Sequence, residues 1–286
     1  MFEGHISIAM PVRDCASTVG AAIRSILNQT IDDWDLIVID DGSTDQTLER
    51  IRRFSDDRIR VHSDGLSLGL SARLNQAIEL ANGDYLARMD GDDIAYPERL
   101  ERQVAVLEGS PAIDLVGARM LVFGKGGRPL GHRPCPEDHE QICARPRSGF
   151  ALAHPTWFGR LKWFQDHRYD VAAVRCEDHD VLLRTYRESR FANVRAILVG
   201  YREERVDLRK VLSSRYHLVG SVARHAGGST KRDTCLAALE QAAKGFTDTL
   251  AVTLGAESLI LRHRRRPLPP DEVQRWSEVW SATNGT

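Results

Sequence analysis

The chain has 286 residues, 42% hydrophobic and 28% charged, which is enough apolar material for one large α/β domain and a smaller appendage. No window holds the roughly 18 uninterrupted apolar residues of a bilayer span, and the opening MFEGHISIAMPV lacks the regions of a secretion signal, so a cytoplasmic protein is expected. Net charge is −1, yet residues 1–108 carry 20 acidic and 11 basic side chains whereas residues 109–286 carry 20 and 28, an imbalance that argues against nucleic acid as a partner of the first half and for a site that holds a cation.

From His5 to about Leu107, short β-rich runs alternate with helix-period segments, the pattern of parallel strands joined by crossover helices. Strands are predicted at HISIAMP (5–11), DLIVIDD (35–41), RIRVH (58–62) and DYLARMD (84–90), with helices at Ala16–Gln29, Thr44–Phe54 and Leu70–Ala81. Ser43 or Thr44 suits the N-cap of the second helix, Gly83 the stop after the third, and Pro97 the first turn of a fourth, PERLERQVAVLE. A further strand, DLVGARMLVF (114–123), leads into GKGGRPLGHRPCPEDHE, whose glycines and prolines predict a long irregular loop. Beyond ALAHPTWFGR, a helix is expected from Asp178 in CEDHDVLLRTYRESR, then a strand at ANVRAILVGYR. Helix formers dominate from Asp207, followed by the basic RHRRRPLPP and the amphipathic DEVQRWSEVW. Cys15, Cys135, Cys143, Cys176 and Cys235 form no CxxC pair and read as thiols, and His132, Cys135, His139 and Cys143 fit no standard zinc spacing.

Ligands of open α/β sheets bind beyond the carboxyl ends of the strands, and three predicted strands end in polar groups: Pro11 to Asp14, Asp40 to Asp45, and Asp90, Asp92 and Asp93 around Gly91. No Walker A or GxGxxG loop is present to cradle phosphate. Crowded carboxylates repel one another unless a cation sits among them, and Mn²⁺ or Mg²⁺ held by one or two carboxylates docks a diphosphate. Plainer roles stay open: Asp92 and Asp93 as helix caps or turn residues, and Asp41 or Asp45 in an Asx turn.

The order and spacing of SIAMPVRDCASTVG, DLIVIDDGSTDQTLERI, NQAIELANGDYLARMDGDDIAYPERLERQ, AHPTWFGR and CEDHDVLLR resemble family 2 glycosyltransferases with the GT-A fold, of the bacterial polysaccharide type. The resemblance implies an α/β fold with a Rossmann-like, mostly parallel sheet and a C-terminal helical appendage. On this division residues 1–206 form the catalytic domain (1–110 the nucleotide-sugar half, 111–206 the acceptor half) and 207–286 the helical region. It implies a UDP-, GDP- or dTDP-sugar donor contacting Pro11, Arg13, Asp40, Asp41, Arg73 and Asp90, a metal at Asp92 and Asp90, and inverting transfer with Asp178 as general base beside Glu177. Asp93 is expected to support the turn and Asp180 to be structural. The acceptor is expected to be a glycan or lipid-linked glycan. His154 matches an element near the acceptor; a hydrogen-bonded loop histidine is the plainer reading, as a solvated helix face is for Arg73 and a dipole-favoured N-terminal carboxylate for Asp178. Trp157 and Phe158 suit core packing better than sugar stacking. The basic run Arg262 to Arg266 is a site for peripheral contact with an anionic inner-membrane face, against the plain alternative of a solvated helix end.

Two other classes share parts of this pattern. A sugar-phosphate nucleotidyltransferase needs a Gly-rich G-x-G-T-R-like signature, absent from MPVRDCAST, and a catalytically silent binding protein has no need of both Asp92 and Asp178.

Overall fold

Residues 4–203, 207–225, 231–256 and 265–284 are described by the structure, a computed structural model, with the backbone alone for 231–233. Ile6–Val12 (β1) is buried along its whole length and runs parallel to both Trp34–Asp40 (β2) and Tyr85–Arg88 (β4); Ile59–Ser63 (β3) continues the sheet beyond β2. β1 and β2, buried at every position because helices cover both faces, lack the regular polar alternation of a half-exposed strand. Ile6, Ile8 and Met10 pack with Val19, Ile23 and Ile26 of Val19–Leu27 (α1) and with Leu100 and Leu107 of Arg99–Gly109 (α4). Ala9, Ile37 and Ile39 pack on the other face with Leu74, Ala77 and Ile78 of Leu70–Leu80 (α3).

Past β4 the connections change. Phe158–Arg160 (β8) pairs antiparallel with β4, Leu115–Phe123 (β6) pairs with β8, and Phe191–Arg202 (β9) forms a long parallel ladder with β6. The two-residue Ile94–Ala95 (β5) closes the order β3-β2-β1-β4-β8-β6-β9-β5, with Pro129–His132 (β7) beside β6. Strand order reverses between β1 and β4, where an open α/β sheet leaves a crevice at its carboxyl edge.

The α/β sheet and its crossover helices agree with the expectation from sequence, and several boundaries differ. The Gly- and Pro-rich stretch is not irregular throughout: it holds β7 and the short helix His139–Ile142 (α5), because Gly126 and Gly127, at φ 66° and 76°, turn the chain back into a hairpin with β6. Thr47–Ile51 (α2) is shorter than predicted and its first turn is satisfied by Asp45, which accepts the Thr47 N–H at 2.9 Å. Ser43 and Thr44 instead bond Asp14: the Ser43 Oγ accepts the Asp14 N–H and the Asp14 carboxylate accepts the Thr44 N–H. The third helix stops at Leu80, before Gly83, whose backbone lies so close to β1 that a Cβ there would stand 2.6 Å from the His5 carbonyl oxygen.

Leu161–Asp166 (α6) and Glu177–Thr185 (α7) complete the first 200 residues. Leu208–His225 (α8) packs on α7 around Asp180, which is fully buried and accepts hydrogen bonds from Ser221 Oγ at 2.8 Å, His225 Nε2 at 2.9 Å and Arg184 Nε at 3.0 Å. Lys231–Thr253 (α9) pairs with α8. The last helix, Pro270–Asn284 (α10), returns to the sheet: Trp276 is 1% exposed against Phe123 and Tyr96, and its Nε1–H donates to the Gly127 carbonyl at 2.6 Å. Gly200 makes room for the ring, since a Cβ there would stand 2.3 Å from it. Replacing Trp276 by Ala empties this seat and is expected to cost about 3–5 kcal/mol of unfolding free energy, read from the denaturant midpoint; a midpoint equal to wild type would show that the tail contributes nothing to the core.

Candidate active site

The carboxyl ends of β1 and β2 are laced together. Asp41, 6% exposed, accepts the N–H of Leu68 at 2.6 Å and of Gly69 at 3.1 Å, and the Nε–H of Arg73 at 3.0 Å. Arg73 is 1% exposed, not on a solvated face, and also forks onto Asp64, whose carboxyl it holds down at about 2. Gly42 at φ 69° makes the turn after Asp41, where a side chain would collide with the Leu66 carbonyl. Asp40 points elsewhere: its oxygens accept the Ser43 N–H at 3.2 Å and Ser63 Oγ–H at 3.0 Å, and it lines neither of the two cavities described next. Arg13 is exposed and donates to Ser67 Oγ at 2.5 Å, with Asp41 at 3.8 Å.

The loop after β4 brings one carboxylate oxygen each of Asp90, Asp92 and Asp93 within 4.8 Å of one another. Gly91 allows this, because its Cα packs where a Cβ would stand 2.7 Å from Val12. Arg88, buried at the last position of β4, forks onto Asp90 at 2.6 and 2.8 Å. Asp93 is fully buried; one oxygen accepts the Arg202 N–H at 2.9 Å and the other has no partner among the described residues. The Asp92 carboxylate makes no hydrogen bond among the described residues, and burial together with the Asp90 charge pushes it up to about 6. One oriented acid, one unpartnered acid and a buried acid with an orphaned oxygen form a donor set that suits a hard divalent cation.

A cleft of about 550 Å³ lies over the first edge, lined by Pro11, Arg13, Asp41, Arg73, Arg175 and Glu177. A second of about 990 Å³ lies between α7 and the α8/α9 pair, lined by Arg133, Phe150, Arg175, Asp178, Lys210 and Lys244 among others. The two carboxylates that open α7 therefore face different spaces: Glu177 the first, Asp178 the second. Burial, then the neighbouring Asp178 charge, pushes Glu177 up to about 7.

Other predicted residues lie away from these clefts. His154 is 8% exposed, its Nε2 is 2.9 Å from the Tyr169 hydroxyl and its ring meets the Trp157 edge; burial, then the Arg88 charge, keeps it neutral. Trp157 and Phe158 are fully buried in the two cores, as core packing required. Of the basic run, Arg262, His263 and Arg264 lie outside the described residues, Arg265 is ion-paired with Glu203, and Arg266 is exposed. Arg88 and Arg175 were missed by the sequence reading. For Arg88 a signal existed: residues two apart on a strand share a face, so an arginine two before Asp90 stands beside it.

Comparison with known proteins gives a consistent picture. The family model for glycosyl transferase family 2 matches residues 7–168. EpsE of Bacillus subtilis is 36% identical over 207 residues, 70% of this chain and 73% of that protein. The O-antigen biosynthesis glycosyltransferase WbnJ of Escherichia coli is 29% identical over 204 residues, 69% of this chain and 79% of its own length. In fold, the chain is similar to the mannosyltransferase PcManGT of Pyrobaculum calidifontis, solved with GDP-Man and Mn²⁺, at a TM-score of 0.61 and 14% identity, covering 99% of this chain and 86% of that one.

The raised Glu177 gives a testable pH dependence. The folded protein keeps this proton up to about pH 7, whereas an unfolded glutamate loses it near 4.5, so the stability tied to it is full below 4.5 and is lost as pH rises through 7. Glu177→Gln, which stays neutral, is expected to stabilise at pH 8 by on the order of 3 kcal/mol relative to wild type, with most of that difference gone at pH 5. Thermal melts across this range measure it, and parallel profiles for the two proteins would refute it.

Proposed function

Because the chain belongs to glycosyl transferase family 2, we propose that it moves a sugar from a UDP-, GDP- or dTDP-sugar to an acceptor hydroxyl by one inverting displacement. The observation that carries this reading is the division of labour at the start of α7, where Glu177 opens on one cleft and Asp178 on the other. The GT-A sheet supplies the frame: its switch point stands beneath the smaller cleft, the one proposed for the donor.

In that cleft Pro11 and Arg13 form the floor at the end of β1. Asp41 and Arg73 saturate one another and shape the wall near the base and ribose, while Asp40 holds the turn behind it. Glu177, raised to about 7, is only partly ionised at neutral pH and so sets less negative charge against the incoming diphosphate than an ordinary glutamate would. In the larger cleft Asp178 takes the proton of the acceptor hydroxyl as it attacks C1 from the side opposite the leaving group, a contribution of about 10²- to 10⁴-fold to the rate. Asp92, with Asp90 oriented beside it by Arg88, would hold Mn²⁺ or Mg²⁺, which when bound neutralises charge on the departing nucleoside diphosphate. The Mn²⁺ in the PcManGT structure supports that assignment.

Surface polysaccharide or glycan synthesis is the setting that the resemblance to WbnJ supports, with a glycan or lipid-linked glycan as acceptor. No described helix is long and apolar enough to cross a membrane; peripheral contact belongs to the lipid-linked version of this reading and is measured by salt-sensitive sedimentation with anionic vesicles. No observation favours a sugar-phosphate nucleotidyltransferase or a silent binding protein.

Two variants separate the proposed roles. Asp178→Asn is expected to lower kcat by about 10²- to 10⁴-fold while donor KM stays within a few-fold, measured by release of nucleoside diphosphate. Asp92→Asn is expected to abolish the extra thermal stabilisation that Mn²⁺ gives in the presence of UDP, GDP, dTDP or CDP. An active Asp178→Asn enzyme, or a Mn²⁺ response unchanged in Asp92→Asn, would remove the corresponding assignment.

A further inference from the structure

Among the described residues only two other than glycine adopt a positive φ, Asp14 at 47° and Arg175 at 60°. Asp14 has a local reason, since its carboxylate accepts the Thr44 N–H at 2.7 Å and its own N–H donates to Ser43. Arg175 has none. Its side chain is exposed and forms no hydrogen bond or ion pair among the described residues, so nothing in its surroundings offsets a conformation that glycine would adopt freely.

Its position is distinctive. Arg175 lines both clefts, two residues before Glu177 and three before Asp178, and so stands in the wall between the proposed donor and acceptor. The other cations of the donor cleft are engaged: Arg73 with Asp41 and Asp64, Arg13 with Ser67 and Asp41. An unpaired guanidinium at this wall is shaped to receive two anionic oxygens side by side.

We infer that Arg175 binds the diphosphate of the donor on the side away from the acidic loop and takes up part of the charge that develops as the nucleoside diphosphate departs. This rests on the donor and acceptor assignment above. As the acceptor oxygen bonds to C1, the bond from C1 to the phosphate oxygen breaks with its electron pair staying on that oxygen. The acceptor proton passes to Asp178, and Arg175 pairs with the new anion without exchanging a proton.

The strained backbone makes the test selective. Arg175→Gly removes the guanidinium and relieves the φ strain together, so its melting temperature should equal or exceed that of wild type. Calorimetric titrations with UDP, GDP, dTDP and CDP in Mn²⁺, and with the matching monophosphates, should show the preference for diphosphate over monophosphate falling about tenfold, with partial recovery in Arg175→Lys. A preference within twofold of wild type would overturn the inference while leaving the donor cleft in place, as would equal losses for diphosphate and monophosphate, which would mean that Arg175 shapes the wall only. Wild-type protein that binds none of the four diphosphates would overturn the donor assignment and this inference with it.

Discussion

The fork between Arg88 and Asp90 is what allows three carboxylates to share the end of one strand. Burial works against the charge on Arg88, yet Asp90, together with Tyr169, Asp93 and Glu177, outweighs it and the guanidinium is held charged. Behind it Arg99, also buried, donates to the Arg88 carbonyl at 2.5 Å and the Pro155 carbonyl at 3.2 Å, while burial and the Arg88 charge bring Arg99 down to about 10. These two arginines fix β4 and the loop beyond it against the β8 side of the sheet. Asp93 then joins the loop to β9 through the Arg202 N–H. Removing one partner of a buried pair strands the other, so this layer couples the geometry of the acidic loop to the integrity of the sheet.

The same logic governs the opposite wall. Asp180 sits two residues beyond Asp178 on α7, fully buried, and burial alone would raise its carboxyl; Ser221, Arg184 and His225 reverse that and hold it below the ordinary range. The helix that presents Glu177 and Asp178 is thereby bolted to α8, and the larger cleft is framed by a carboxylate that never faces it. Neighbouring acids on one helix turn thus do three different things because they meet three different surroundings: a desolvated cleft wall, an open cavity and a closed ring of donors.

Much of this architecture was legible in the sequence because strand and helix periods speak locally. The runs at Ile6–Val12 and Trp34–Asp40 are mostly apolar, and the acidic pair and triplet fall where the second of them and Tyr85–Arg88 end. Less legible were features that depend on partners far along the chain. Arg73 reads as a surface residue from helical spacing, yet Asp41 and Asp64, 32 and 9 positions away, draw it inside. His154 sits in a motif that suggests contact with ligand, but Tyr169 and Trp157 close over it. The glycines at 126 and 127 signal disorder of structure when read alone and a tight hairpin once β6 is beside them. No local pattern announces the backbone of Arg175.

The seating of Trp276 in the sheet has a temporal side. Its neighbours Tyr96 and Phe123 leave the ribosome well before it does, as does Gly127, 149 residues earlier, whose carbonyl it caps. During that interval the growing polypeptide presents an uncovered aromatic groove, the kind of surface on which nascent chains associate wrongly or recruit chaperones. Contacts so distant in sequence close late and slowly, so the final helix acts as a keystone whose arrival ends the vulnerable phase of biogenesis.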